Sequence, residues 1–161
     1  MKKNKIFMKG FCMENKEAVL MSIQPEWVKH IFIDKDKIYE VRRRAPLLQS
    51  PYKIYVYCTK KEPVLHRRTM FWEGDMNGFV CGEFTCVCTI ERTPPWKDKS
   101  KGTCLTDRQL AEYSCLDHLL FLEIDNPILY DKPLKLEEFG IHHVPQSWQY
   151  CEEITAWIKK T

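Results

Sequence analysis

Within residues 36–44, Asp-Lys-Ile-Tyr-Glu-Val-Arg-Arg-Arg, Tyr39 and Val41 alternate with Glu40 and Arg42 at a period of two. That pattern restricts the segment to an extended strand with one polar face. If Lys37 to Arg43 is extended, Ile38, Glu40 and Arg42 share one face while Tyr39 and Val41 point to the other. The apolar pair can then cover a core. Glu40 and Arg42, two residues apart, lie close enough to pair and to present an acceptor and a forked donor side by side to a polar ligand. The same pair also suits a solvated outer face, where it would add roughly 0 to 1 kcal/mol.

The neighbouring segments give this strand a context. Ala18–Ile23 is a short apolar run suited to a buried strand. Pro25 then opens a helical stretch in which Trp27, Val28, Ile31 and Phe32 recur at helical spacing, so Trp27, Ile31 and Phe32 are expected to pack over one end of the core. Further strands are predicted over 53–58, 79–90 and 119–125, with a short pairing segment at 147–151. The Thr106-x-x-Gln109 capping-box signature predicts a helix over 107–113, and Ile154, Trp157 and Ile158 suggest another over 152–160. Several short strands with few helices make the chain mainly β with short helices, an α+β protein built as a small mixed β-barrel.

With 161 residues, 44% hydrophobic and 29% charged, the chain supports one globular domain, taken as residues 17–161, with 1–16 as a loose basic tail. The Ile6–Met8 run is too short for a signal-peptide core and no stretch approaches membrane-spanning length, so a cytoplasmic location with no membrane partner is expected. In a reducing compartment the eight cysteines should be free thiols. A zinc reading would recruit Cys81, Cys86 and Cys88 with His142 or His143, but that spacing is not a usual zinc pattern. No metal and no cofactor are expected. Cys58 ends a strand beside Thr59, where a pocket could lie, yet a nucleophilic thiolate needs a base that the sequence does not identify.

Charge is divided unevenly. Residues 1–70 hold 16 Lys+Arg against 7 Asp+Glu, net +9, whereas 71–161 hold 9 against 15, net −6. Arg43, Arg44, Lys60, Lys61, Arg67 and Arg68 are therefore candidates for phosphate contacts, although ordinary solubility charge would give the same count. Two long loops, 60–78 and 92–103, interleave aromatic and basic residues that could stack on bases; Trp72 and Trp96 could equally pin those loops to the barrel.

The order strand, short helix, charged strand, with Ser22-Ile-Gln-Pro25, Trp27 and then Lys37-x-x-Glu40-x-Arg42, resembles the ASCH domain of the PUA-like superfamily, whose hallmark runs Gly-x-Lys-x-x-Glu-x-Arg. Lys35 stands at the hallmark's glycine position, with Asp36 beside it able to tolerate a left-handed turn. Tyr52–Thr59, Gly82-Glu83-Phe84, Asp131-Lys-Pro133 and Pro145-Gln-Ser-Trp148 extend the likeness over about residues 18–153, towards a bacterial and phage-associated branch.

The resemblance implies a PUA-like barrel with Lys37, Glu40 and Arg42 near a cleft between the first helix and the barrel, and Ser22 at its rim. Glu83, which interrupts an apolar strand, is a further ligand candidate and could pair with Lys37 or Arg42. Tyr57 or Trp148 could stack on a base. The expected function is an RNA- or nucleotide-binding module, with DNA also possible. A hydrolase acting on modified nucleosides or RNA is the alternative, and a protein-interaction adaptor is a third. If the protein is an enzyme, the likeness makes Lys37 the catalytic lysine, with Glu40 to activate water; the amidohydrolase branch carries threonine where Glu40 stands. For RNA cleavage, His142 or His143 is the candidate acid or base, although adjacent histidines there also suit a surface.

Overall fold

A computed structural model describes residues 5–8, 11–14, 16–61, 65–68, 73–115 and 117–154. Its centre is a six-stranded mixed sheet. Strand β1 (Lys5–Met8) and β2 (Phe11–Glu14) pair antiparallel within the segment expected as a basic tail. The main sheet comprises β3 (Glu17–Ile23), β4 (Tyr39–Arg42), β5 (Tyr52–Cys58), β8 (Val80–Arg92), β9 (Leu119–Leu134) and β10 (Trp148–Glu152). The short strands β6 (His66–Arg68) and β7 (Glu73–Asp75) form a separate hairpin.

In the main sheet the order is β10-β3-β5-β8-β9-β4, with β3 and β5 parallel and every other pair antiparallel. The α+β class is as expected, but the ladder is open rather than a closed barrel. Its two edges, β4 and β10, nonetheless approach one another. Trp148 Nε1 donates to the Arg44 carbonyl at 3.2 Å, and the Leu47 amide donates to the Tyr150 hydroxyl at 2.9 Å. Side chains thus bridge the seam that a sixth ladder would have closed.

Alternation divides the apolar residues between the two faces of the sheet. Val19, Met21 and Ile23 of β3 meet Ile54, Val56 and Cys58 of β5 in the inner core, together with Phe84 and Leu122. On the outer face, Ala18, Leu20, Tyr55, Tyr57 and Tyr130 are covered by Ile141, Phe139 and Ile154. Helix α1 (Pro25–Lys29) runs into a π-helical turn, His30–Asp34, and Val28, Ile31 and Phe32 plug the inner core. Trp27, expected in that plug, is only half-buried.

Helix α2 (Asp107–Ser114) begins with the full capping box. The Thr106 hydroxyl accepts from the Gln109 amide at 3.1 Å, and Gln109 Oε1 accepts from the Thr106 amide at 2.9 Å. Its Leu110 packs on Val41, Leu119 and Phe121, which forms a third apolar cluster with Trp96. Trp96 therefore anchors its loop. Phe71, Trp72 and most of the expected C-terminal helix lie outside the described residues, and Glu152 belongs to β10.

Strand β9 runs nine residues beyond its expected end at 125 because Asn126, at φ 47°, accommodates a bulge. Opposite it, Glu83 pairs with Ile128 and Thr85 with Asp125, so the strand absorbs an extra residue and continues. Gly82 lies beside this bulge, where a Cβ would meet the Ile128 carbonyl at 2.5 Å and the Phe32 ring at 2.8 Å. Close approach of the helical plug to the sheet requires glycine there. Gly82→Ala should cost about 1–3 kcal/mol through overpacking, read as a lower urea midpoint at unchanged m-value.

Candidate functional site

Three segments meet at the end of β4. The π-helical turn closes on Lys35, which adopts the left-handed conformation at φ 55°, ψ 31°. Lysine rather than Asp36 therefore takes the turn that glycine provides in the hallmark, at a strain of about 1–2 kcal/mol. The turn folds the chain back so that the Asp36 and Lys37 amides both face the His30 carbonyl, at 3.2 and 3.5 Å. As a result, Lys37 points inward just before β4 begins. The strand is shorter than the expected 37–43, but its alternation holds: Tyr39 and Val41 pack on the third cluster, and Glu40 and Arg42 face the other way.

Lys37 and Glu40 are each only 5% exposed. The Lys37 ammonium donates to the Thr103 carbonyl at 2.5 Å, lies 3.7 Å from Glu40 Oε2 and sits 5.4 Å from the centre of the Trp27 ring. Arg42 grips the other carboxylate oxygen, Oε1, through Nε at 2.9 Å and Nη2 at 2.8 Å. Its Nη2 also donates to the Ser22 carbonyl at 2.8 Å, and Nη1 donates to Ser147 Oγ at 3.1 Å. Ser22 Oγ in turn donates to the Pro145 carbonyl at 2.7 Å. Most of the guanidinium's five donors are thereby spent on the protein. Lys37 and Glu40 Oε2 keep bonding capacity.

A cleft of about 500 Å³ opens over this cluster, and Ser22, Lys37, Glu40 and Arg42 all line it. Lys61 adds a charge, so three cations face one carboxylate in its wall. Trp27 and Tyr113 supply its aromatic surfaces, and Val144–Gln146 its rim. Thr59 also lines it, with a buried hydroxyl that has no hydrogen-bond partner among the described residues. These residues escaped the sequence reading as ligand contacts. Trp27 was read as core, Tyr113 lies on the cleft side of a correctly placed helix, and only the position of Thr59 beside Cys58 hinted at a pocket.

Other candidates lie elsewhere. Tyr57 is buried in the outer cluster and does not line the cleft. Trp148 is committed to the seam and meets Tyr150 edge-on at 5.2 Å. Glu83 pairs with neither Lys37 nor Arg42; its carboxylate lies 3.1 Å from Lys53 Nζ, which also holds Glu153 at 2.9 Å. That trio lines a second cavity of about 580 Å³ with no lining residue in common with the first.

Among the basic residues proposed for phosphate contact, Arg43 donates to the Tyr113 carbonyl at 2.7 Å and lies 4.9 Å from the Tyr113 ring, tying α2 to β4. Arg44, Lys60 and Lys61 are exposed, and the side chains of Arg67 and Arg68 lie outside the described set. His142 and His143 are exposed and do not line the cleft. The cysteines described are free; burial pushes the Cys58 thiol up to about 12, which removes it as a nucleophile near neutral pH. Cys81 and Cys86 are buried and contribute to the inner core. Among the described residues, no helix is long and apolar enough to cross a membrane.

No protein-family model matches the sequence, and no curated protein matches it. Among solved structures, the chain is similar to ASCH from Zymomonas mobilis, with TM-score 0.61 and 21% identity over 83% of this chain and 86% of that one. Two single-site mutants of the same protein align equally well at TM-score 0.61, with 19% and 20% identity over 83% of this chain and 88% and 87% of theirs. The chain has the ASCH fold.

Two variants test the local account. Arg42→Ala would leave Glu40 buried without its main partner and should cost about 3–5 kcal/mol, so the loss is chiefly one of stability. Lys35→Gly should stabilise by about 0.5–1 kcal/mol, the left-handed strain relieved less the added chain entropy. Urea titration reads both.

Proposed function

We propose that the cleft binds a nucleobase or nucleotide, as a free ligand or as part of an RNA strand. The observation that carries this reading is the buried Lys37–Glu40 pair at the base of a cleft, with the ammonium over the Trp27 ring. Lys37 would donate to a base carbonyl or a phosphate oxygen, and Glu40 Oε2 would accept from an exocyclic amine. Trp27 or Tyr113 offers the face on which a base stacks. Arg42 holds Glu40 in place, and Ser22 anchors the rim from behind.

The excess of cations in the wall favours an anionic or carbonyl-rich ligand. Lys61 at the cleft, with exposed Lys60 beside it and exposed Arg44 two residues after Arg42, would meet the backbone of a longer strand. Single strands are preferred over duplex in this reading because unstacked bases can enter such a cleft. Hydrolysis at the same place would use Lys37 to stabilise an oxyanion and Glu40 to activate water.

A thermal-shift screen over nucleosides, modified nucleosides, nucleotides and short oligonucleotides identifies the ligand class, because a ligand selective for the native state raises Tm. In titrations with the best ligand, Lys37→Met should weaken binding by about 1.5–3 kcal/mol, the range for a bond to a charged group. Lys61→Ala should lower oligonucleotide affinity modestly and flatten its salt dependence by about one unit of slope. If no compound raises Tm, or Lys37→Met binds as wild type does, the cleft is not the nucleotide site. Turnover of an acylated nucleoside that disappears in Lys37→Met would identify the hydrolase instead.

A further inference from the structure

Beside the cleft, and independently of what it binds, His30, Asp36 and Cys104 converge. His30 Nδ1 lies 2.8 Å from Asp36 Oδ1, and the donor atoms of the three side chains, the Cys104 sulfur included, all fall within 4.8 Å of one another. The residues are 6 and 68 positions apart in sequence, so no spacing rule would group them. Folding brings them together. The left-handed Lys35 returns Asp36 to His30, while Ile38 and Tyr39 both donate their amides to the Gly102 carbonyl, at 2.6 and 2.9 Å, which draws the loop bearing Cys104 alongside.

We infer that His30, Asp36 and Cys104 form a binding site for a zinc-class divalent cation. The donor set is imidazole, carboxylate and thiolate, a borderline-to-soft combination that suits zinc and not calcium or magnesium. Zinc bonds of about 2.0–2.3 Å in a tetrahedron place donors about 3.3–3.8 Å apart. The observed cluster reaches that geometry once the His30–Asp36 contact widens by about half an ångström and the other donor separations, at most 4.8 Å, close by up to about 1 Å. Asp34 Oδ2 is 3.6 Å from His30 Nδ1 but is held by Lys29 at 2.8 Å, so the fourth position falls to water.

The site would govern the cleft as well. The Trp27 ring stacks on His30 at 5.9 Å and 28°, and Lys37 donates to Thr103, the residue before Cys104. An ion there would clamp together the two segments that position Trp27 and Lys37.

The test uses the full chain, stripped of metal and kept reduced, and titrates it with Co²⁺ followed by Zn²⁺ competition. One equivalent of Co²⁺ should give thiolate-to-cobalt charge-transfer absorption and tetrahedral ligand-field bands, which Zn²⁺ then bleaches. Cys104→Ser should abolish the charge-transfer band, Asp36→Asn should weaken binding by more than about tenfold, and Cys115→Ser, which removes an exposed thiol, should change neither. Zn²⁺ should raise the Tm of wild type and not that of Cys104→Ser or Asp36→Asn. Circular dichroism of each variant without metal separates loss of the site from loss of the fold. The site is refuted if wild type shows no charge-transfer band at one equivalent, or if folded Cys104→Ser and Asp36→Asn bind as wild type does.

Discussion

The sheet depends on one guanidinium. A six-stranded open sheet exposes two rows of unpaired backbone groups, and such edges invite association with other chains. Here β4 and β10 curl toward each other, and Arg42 spans the gap, holding Glu40 on its own strand, the end of β3 through the Ser22 carbonyl, and the segment entering β10 through Ser147. Trp148 and Tyr150 extend the same closure along the seam. A buried ion pair adds little net stability over a well-packed apolar contact, because desolvation offsets most of the attraction. Its contribution here is geometric: the forked donor fixes three segments in one arrangement.

That closure also divides labour among the charged residues. Arg42, which by residue type looks like a ligand-binding group, is consumed by the protein. Lys37 and Glu40 Oε2 retain capacity toward the cleft, and their burial gives any bond they make more strength than the same bond in water. The position of Lys37 rests in turn on Lys35, whose left-handed backbone turns the chain out of the π-helical turn. Strain at one residue is the cost of directing the next-but-one side chain inward. A π-helical turn at this point is consistent with that role, since such irregular turns recur where a helix must re-aim a functional group.

Local patterns made much of the fold legible. The apolar runs gave β3, β5 and β8, the alternation gave β4, and Thr106 with Gln109 marked the start of α2 because a capping box is complete within four residues. Signals that depend on register or distant contacts were not legible. Asp125-Asn-Pro reads as a turn, yet Asn126 places a bulge there and β9 continues to Leu134. Glu83 faces Tyr55 across the ladder, beside Lys53 on the same face of β5, and only that register explains its partner. Tyr57 alternates with the inward Val56 and Cys58, but parity alone does not exclude it, because Ser22, its partner across the ladder, has the same parity and lines the cleft. Of the cleft, Ser22, Lys37, Glu40 and Arg42 were visible in sequence; Trp27 and Tyr113 as walls were not, because helix faces are assigned only once the helices dock.

Glu40 bears most directly on what the cleft can do. A carboxylate between Lys37 and Arg42 neutralises one of two buried cations, which makes a polar pocket affordable in the absence of ligand. A hydroxyl at that position would leave both cations uncompensated and would require an anion or bound ligand to complete the site. Under the proposed reading, the carboxylate therefore biases the pocket toward reversible recognition of a group that both accepts and donates, as the edge of a nucleobase does. Covalent chemistry of the hydroxyl type would need an activated nucleophile, and the aliphatic hydroxyls in the described wall of the cleft are those of Thr59 and Ser22. The Ser22 hydroxyl is already donated to Pro145, and Thr59 has no base within the hydrogen bonds described. Water activated by Glu40 is the remaining hydrolytic route, and it would have to use Oε2, because Arg42 holds Oε1.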